Sequence, residues 1–311
     1  MSQIWAIREK SELLRARSPA PAQLTSGPVS YRSPVPSLDG RRILVLGDQR
    51  HSELLRYNSG TRQLEPFLGG VSAESVDFTR DGSWVAFVSH PYGALWRCRA
   101  DGTEQLRLTP DSLRVFLPRW SPDGTRLAFR AESASLPVKI YIVSSDGKGL
   151  RRLLADGRNE ADPSWSPDGT KLAFGRTTLP YESAPKVIHV YDFQTGAVST
   201  LPGSEGLFSP RWSPDGRYIA AMTLDSQRLM LFDWEKQRWE ELAQVNAAYP
   251  AWSADSRALY FGAKIENRQG QYCVRIAERK VERIVILSCT QRDINNPVEA
   301  GNRSDELAMV F

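Results

Sequence analysis

The chain has 311 residues, 41% of them apolar, and 40 basic against 36 acidic side chains leave a formal net charge of +4. This composition excludes disordered, collagen-like and disulfide-scaffold proteins, and no run approaches the roughly 20 apolar residues of a membrane-crossing helix. The 32 arginines and 8 lysines are scattered among Asp and Glu along the whole chain, which reads as a mixed solvated surface and not as a nucleic-acid groove.

In chain order, Met1-Ser2-Gln3-Ile4-Trp5 carries no basic stretch followed by an apolar one, so no export signal is expected and the cytoplasm is the default compartment. Ile4-Trp5-Ala6-Ile7 reads as a third strand of a repeat and Ala22-Gln23-Leu24-Thr25 as an outer strand. A repeat then begins. Its clearest copy, Arg119-Trp120-Ser121-Pro122-Asp123-Gly124-Thr125-Arg126-Leu127-Ala128-Phe129, recurs around Trp165-Ser166-Pro167-Asp168-Gly169 and Trp212-Ser213-Pro214-Asp215-Gly216. Weaker copies contain Asp39-Gly40, Asp81-Gly82 and Asp255-Ser256. The anchoring aspartates are spaced by 42, 42, 45, 47 and 40 residues. Periods of about 40–50 residues with strand-like content indicate a β-propeller with four strands per blade.

The chemistry within one repeat agrees. Asp-Gly tolerates the positive φ of a tight hairpin between two β-rich runs, and Pro122, Pro167 and Pro214 suit a turn that no longer needs a ladder donor. The run after the turn, such as Leu127-Ala128-Phe129, is continuously apolar, as expected of a strand buried on both faces. The recurrent Trp120, Trp165, Trp212 and Trp252 read as packing between blades. The expected fold is therefore all-β, a single propeller domain over 1–311 with six repeats over 28–288. Seven blades are expected, the last shared between two strands from 1–27 and a degenerate segment at 289–311; six blades with frayed ends is the alternative.

Ser-Pro-Asp-Gly followed by a Leu-Ala-Phe-like strand resembles the repeat of TolB-type propellers, also called WD40-like repeats. The wider pattern, with Gln23-Leu24-Thr25-Ser26-Gly27-Pro28 early and Leu201-Pro202-Gly203-Ser204-Glu205-Gly206 late, is similar to the C-terminal propellers of bacterial regulators that carry a winged-helix or kinase domain upstream. The resemblance implies a sensing or docking module; a fragment of a larger transcriptional regulator is one alternative. TolB is periplasmic, which makes that compartment the second expectation.

Catalytic motifs are weak. His51 and His90 fall after second strands without a third ligand at suitable spacing, His189 lies mid-strand, and Cys98, Cys273 and Cys289 are widely spaced, so no metal or cofactor is expected. Gly70-Val71-Ser72-Ala73-Glu74 lacks the last glycine of a nucleophile elbow. No catalytic residue is assigned, and a propeller-based hydrolase or lyase stands as the alternative. Binding is expected at the axial channel and at the face bearing the loops between outer and inner strands, because a rigid scaffold positions loop residues there. The candidate binding residues are Asp77, Arg119, Asp162 and Arg211 on inner strands, with Arg114, Arg158, Glu160 and Tyr249 from the loops between outer and inner strands. Tyr181 joins them from the loop 175–186. The expected partner is a protein or peptide, with a small ligand as a further option, bound by a monomer.

Overall fold

The computed structural model describes residues 3–6, 20–27, 29–48, 52–58, 60–61, 63–69, 71–133, 136–175, 186–286, 295–297 and 306–310. The chain divides into two compact units, 1–51 and 52–311. Among the described residues no helix is long and apolar enough to cross a membrane.

In the first unit, β1 (Trp5–Ala6) pairs antiparallel with β2 (Ala22–Gln23), and β3 (Ser30–Pro36) pairs with β4 (Ile43–Asp48). Each pair is a separate two-stranded sheet.

The second unit is a β-propeller. It opens with β5 (Leu54–Asn58) and β6 (Gln63–Pro66), and then forms five blades, each an antiparallel meander of four consecutive strands. Blade I comprises β7 (Ala73–Phe78), β8 (Trp84–Ser89), β9 (Leu95–Arg99) and β10 (Leu106–Arg107). Blade II comprises β11 (Arg114–Trp120), β12 (Arg126–Ser133), β13 (Leu136–Ser144) and β14 (Arg151–Arg152). Blade III holds β15 (Ala161–Trp165), β16 (Lys171–Gly175), β17 (His189–Asp192) and β18 (Val198–Thr200). Blade IV holds β19 (Leu207–Trp212), β20 (Tyr218–Thr223), β21 (Arg228–Asp233) and β22 (Arg238–Gln244). Blade V ends the series with β23 (Ala247–Trp252), β24 (Ala258–Ile265), β25 (Arg268–Arg275) and β26 (Val281–Ile286). Finally β27 (Asn295–Pro297) and β28 (Glu306–Val310) return to β5, giving a composite sheet in the order β27-β28-β5-β6. β27 lies against β23 of blade V and against β7 of blade I.

The expectation of seven blades, or six, is thus corrected to five among the described residues. The strands assigned to a shared closing blade take other partners: among the described residues β1 pairs with β2, and the C-terminal strand β28 pairs with β5. The reason is physical. An Asp-Gly hairpin forms from local chemistry whether or not its sheet is extended, so counting repeats counts hairpins. An open strand edge accepts whichever strand offers its backbone groups in register.

The turn has one construction in every copy. Ser121 Oγ donates to Asp123 Oδ1 (2.6 Å) and accepts the Arg126 N–H (2.9 Å), while Asp123 Oδ1 also accepts the Thr125 N–H (3.0 Å). Thr79/Asp81, Ser166/Asp168, Ser213/Asp215, Ser253/Asp255 and, in the first unit, Ser37/Asp39 repeat the hydroxyl–carboxylate bond at 2.5–2.6 Å. Gly124 and Gly169 take φ of +68°, which an L side chain resists; Ser256 stands in that role at φ +61° in blade V.

The cores lie between blades. Trp120 packs with Ala86, Val88 and Leu95 of blade I, Trp165 with Ala128, Ile140 and Ile142 of blade II, Trp212 with Ala173 and Ile188 of blade III, and Trp252 with Leu229 and Leu231 of blade IV. The second strands β8 and β20 are buried over their four central residues, matching their unbroken apolar runs.

Candidate binding site at the channel mouth

The inner strands of blades II to V each carry a kink. The ladder register shifts between Phe116 and Arg119, Ala161 and Ser164, Phe208 and Arg211, and Ala248 and Ala251. Within these bulges Leu117, Asp162, Ser209 and Tyr249 adopt φ of 51°, 56°, 55° and 51°, each directly before a proline (Pro118, Pro163, Pro210, Pro250). Proline has no N–H to leave unpaired where the ladder breaks, so the dipeptide suits the bulge.

Past the bulge, equivalent positions of successive blades carry Asp77, Arg119, Ser164, Arg211 and Ala251. Asp77, Ser164 and Arg211 tie neighbouring blades together. Trp120 N–H donates to Asp77 Oδ2 (2.6 Å), and Trp212 N–H donates to Ser164 Oγ (2.8 Å). Arg211, almost wholly buried, donates from Nε to the Pro250 carbonyl (3.0 Å) and from Nη1 to that of Pro210 (2.8 Å). Arg119 donates from Nη1 to the Pro118 carbonyl (3.0 Å), and the same nitrogen lies 3.8 Å from Asp77 Oδ1. The indole N–H groups follow the same logic: Trp165 Nε1 donates to the Arg119 carbonyl (3.1 Å) and Trp252 Nε1 to the Arg211 carbonyl (2.9 Å).

The ends of the inner strands and the turns that follow enclose a cavity of about 110 Å³. Asp77, Arg80, Arg119 and Ser164 line it together with Trp120, Trp165, Trp212 and Trp252. The turn prolines Pro122, Pro167 and Pro214 form part of its rim.

The residues anticipated from sequence fall into three groups. Asp77 and Arg119 line this cavity, and Arg211 is buried beside the inner strands as a link between blades IV and V. Asp162 and Tyr249 occupy bulge positions of blades III and V; burial, with the Asp162 carboxylate adding to it, pushes the Tyr249 phenol up from its ordinary pKa. The remaining loop residues do not converge with these. Arg114 lies over the Phe116 ring (5.1 Å), and exposed Arg158 pairs with Asp156 Oδ2 (2.5 Å).

Glu160, taken from sequence as an open loop residue, is buried. Its carboxylate accepts from the fully buried Lys139 ammonium and from the Ile140 N–H (3.1 Å). Lys139 Nζ also donates to the Arg158 carbonyl (2.9 Å) and to Asp156 Oδ1 (3.0 Å). Burial pushes the Glu160 carboxyl up against the pull of Lys139. For Asp156 burial is outweighed by bonds from Lys139 and Arg158, which hold it at about 2. This cluster fastens blade III to blade II. Tyr181, His51 and Cys289 lie outside the described residues.

Sequence reasoning placed binding mainly at the loop face and did not single out Arg80, Ser164 or the tryptophans as lining. The signal was present: Trp-Ser-Pro-Asp recurs at the end of the inner strand in blades II, III and IV, so a cavity at that end is lined by it. Among the described residues no group of three or more His, Cys, Asp or Glu side chains comes together as a metal site. His90 Nδ1 lies 3.6 Å from Glu74 Oε2 without a third member, and Cys98 and Cys273 are buried free thiols.

The fold is that of a TolB-type β-propeller. It is similar to a putative TolB from Agrobacterium tumefaciens (19% identity over 85% of this chain and 98% of that one, TM-score 0.68). It is also similar to TolB from Acinetobacter baumannii (20% identity, 74% of this chain and 62% of that one, TM-score 0.59). An oligogalacturonate lyase in complex with manganese shares the fold as well (16% identity, 82% and 80% covered, TM-score 0.55). No family model and no curated protein matches the chain.

Proposed function

We propose that this propeller is a non-enzymatic recognition module that holds a protein or peptide partner at the channel mouth. One observation carries the reading: parts of five successive blades converge on a cavity lined by indoles, turn backbone and a single Arg–Asp pair. Indole surface with a few fixed polar groups suits a guest that is anchored and oriented. The turns around it are held by repeated Ser/Thr–Asp bonds, so the rim costs little to order on binding.

The test uses position 254, an exposed alanine on the cavity wall. A photo-crosslinking residue there should capture a partner from the native lysate that the same residue at Arg114 does not, and Ala254→Trp should abolish that capture. Equal capture at both positions would place recognition elsewhere. A lyase on the same scaffold is the competing reading, raised by the shared fold. Turnover of an oligogalacturonate by the purified protein, followed by absorbance of an unsaturated product, would overturn the non-enzymatic one.

A further inference from the structure

We infer that the group this cavity accepts is a carboxylate, held by Arg119. The inference rests on reading the cavity as the recognition site and names the chemistry of its guest. Arg119 and Arg211 occupy equivalent positions in blades II and IV, yet they are satisfied differently. Arg211 Nε reaches across to the Pro250 carbonyl of the next blade (3.0 Å), whereas Arg119 Nε is buried and has no partner among the described residues. The next indole shows the same shortfall. Trp165 and Trp252 donate their Nε1–H to the carbonyl of the preceding blade, but the buried Trp120 Nε1–H has no acceptor among the described residues.

Arg119 and Trp120, each with one unmet donor among the described residues and both more than nine-tenths buried, are thus consecutive on β11, and both residues line the cavity. A buried donor without an acceptor is costly, and a guest that supplies acceptors recovers that cost. Charge points the same way. The lining carries Arg80 and Arg119 against the one carboxylate of Asp77, and exposed Arg80 stands in the turn position that proline fills in blades II to IV. Arg119 keeps 10% of its side chain open and is one of the residues that line the cavity. A planar carboxylate offers two acceptors to such a fork. It arrives either on a small organic acid or at the end of a peptide chain.

The test follows the Trp120 indole N–H in ¹⁵N-labelled full-length protein, the resonance being assigned by its loss in Trp120→Phe. Acetate should shift it saturably at constant ionic strength while chloride does not, and Arg119→Gln should weaken the acetate response by at least about tenfold. Acetyl-trialanine with a free terminus, compared with its C-terminal amide, distinguishes the sources: tighter binding of the acid than of acetate assigns a chain terminus, and equal binding assigns a small acid. An indole unmoved by either acid, or moved equally by chloride or the amide, overturns the inference, as it would for a cavity holding water alone. The wild-type titrations decide the matter even if a variant fails to fold. Position-254 capture with silent acid titrations would sink the carboxylate and leave the recognition site standing; the reverse result would leave the acid site and remove the macromolecular partner.

Discussion

Asp77 Oδ2 accepts the backbone N–H of Trp120 at 2.6 Å, joining the inner strand of blade I to that of blade II through a buried carboxylate. The same carboxylate faces the buried Arg119 guanidinium at 3.8 Å. One side chain therefore performs two tasks, an inter-blade hydrogen bond and the neutralisation of a buried cation. Replacing it by Ala removes both and should destabilise the protein by about 3 kcal/mol, because the arginine is left uncompensated. Asp77→Asn keeps an acceptor and should cost less. Urea denaturation of the pair checks the order, and equal midpoints for the two variants would deny the charge a role.

Trp165 is buried between blades II and III, stacked on Phe193 at 5.1 Å and covered by the Arg126 guanidinium at 4.9 Å. Trp165→Ala should cost about 3–5 kcal/mol, the range for emptying an aromatic core site. Leu38, fully exposed on the hairpin between β3 and β4, should tolerate Ala within about 0.5 kcal/mol. Thermal melts of the two variants test the contrast.

The Lys139 cluster gives a test of non-additivity. Lys139→Met leaves the Glu160 carboxyl buried without its cation and should cost about 3–5 kcal/mol. Adding Glu160→Gln should recover part of that loss, since an uncharged amide is easier to bury. A double variant no more stable than the single one would show that the ammonium acts through the Asp156 and Arg158 carbonyls instead.

The turn aspartates predict acid sensitivity of a definite sign. The Thr79 hydroxyl, with the Ser83 hydroxyl and N–H, holds Asp81 at about 2. Burial raises Asp123 and Asp168, but the hydroxyls of Ser121 and Ser166 with the following N–H groups more than offset it, and Asp255 is lowered chiefly by Ser253. A carboxyl depressed in the folded state contributes stability that is fully present above its unfolded value, near 4, and is lost as pH falls through the folded one. Melting temperature should accordingly fall between about pH 4 and pH 2. Asp81→Asn should flatten that fall, and an unchanged slope would show that this turn does not drive it.

Some of this was legible in the residues alone because the interactions are short-range. The Ser-x-Asp-Gly turn closes through bonds two and five residues apart, so Ser121, Asp123 and Arg126 suffice to specify it. The unbroken apolar runs announced strands covered on both sides, and the spacing of the tryptophans announced packing between repeats. What sequence spacing could not supply was which strand edge the chain's last segment would take, since β28 meets β5 across about 250 residues on backbone groups that every residue carries. It equally could not show that Glu160 is buried on Lys139 while Arg119 is left with an unmet donor beside a cavity. Those outcomes depend on how neighbouring blades face one another, which exists only once the sheets are assembled.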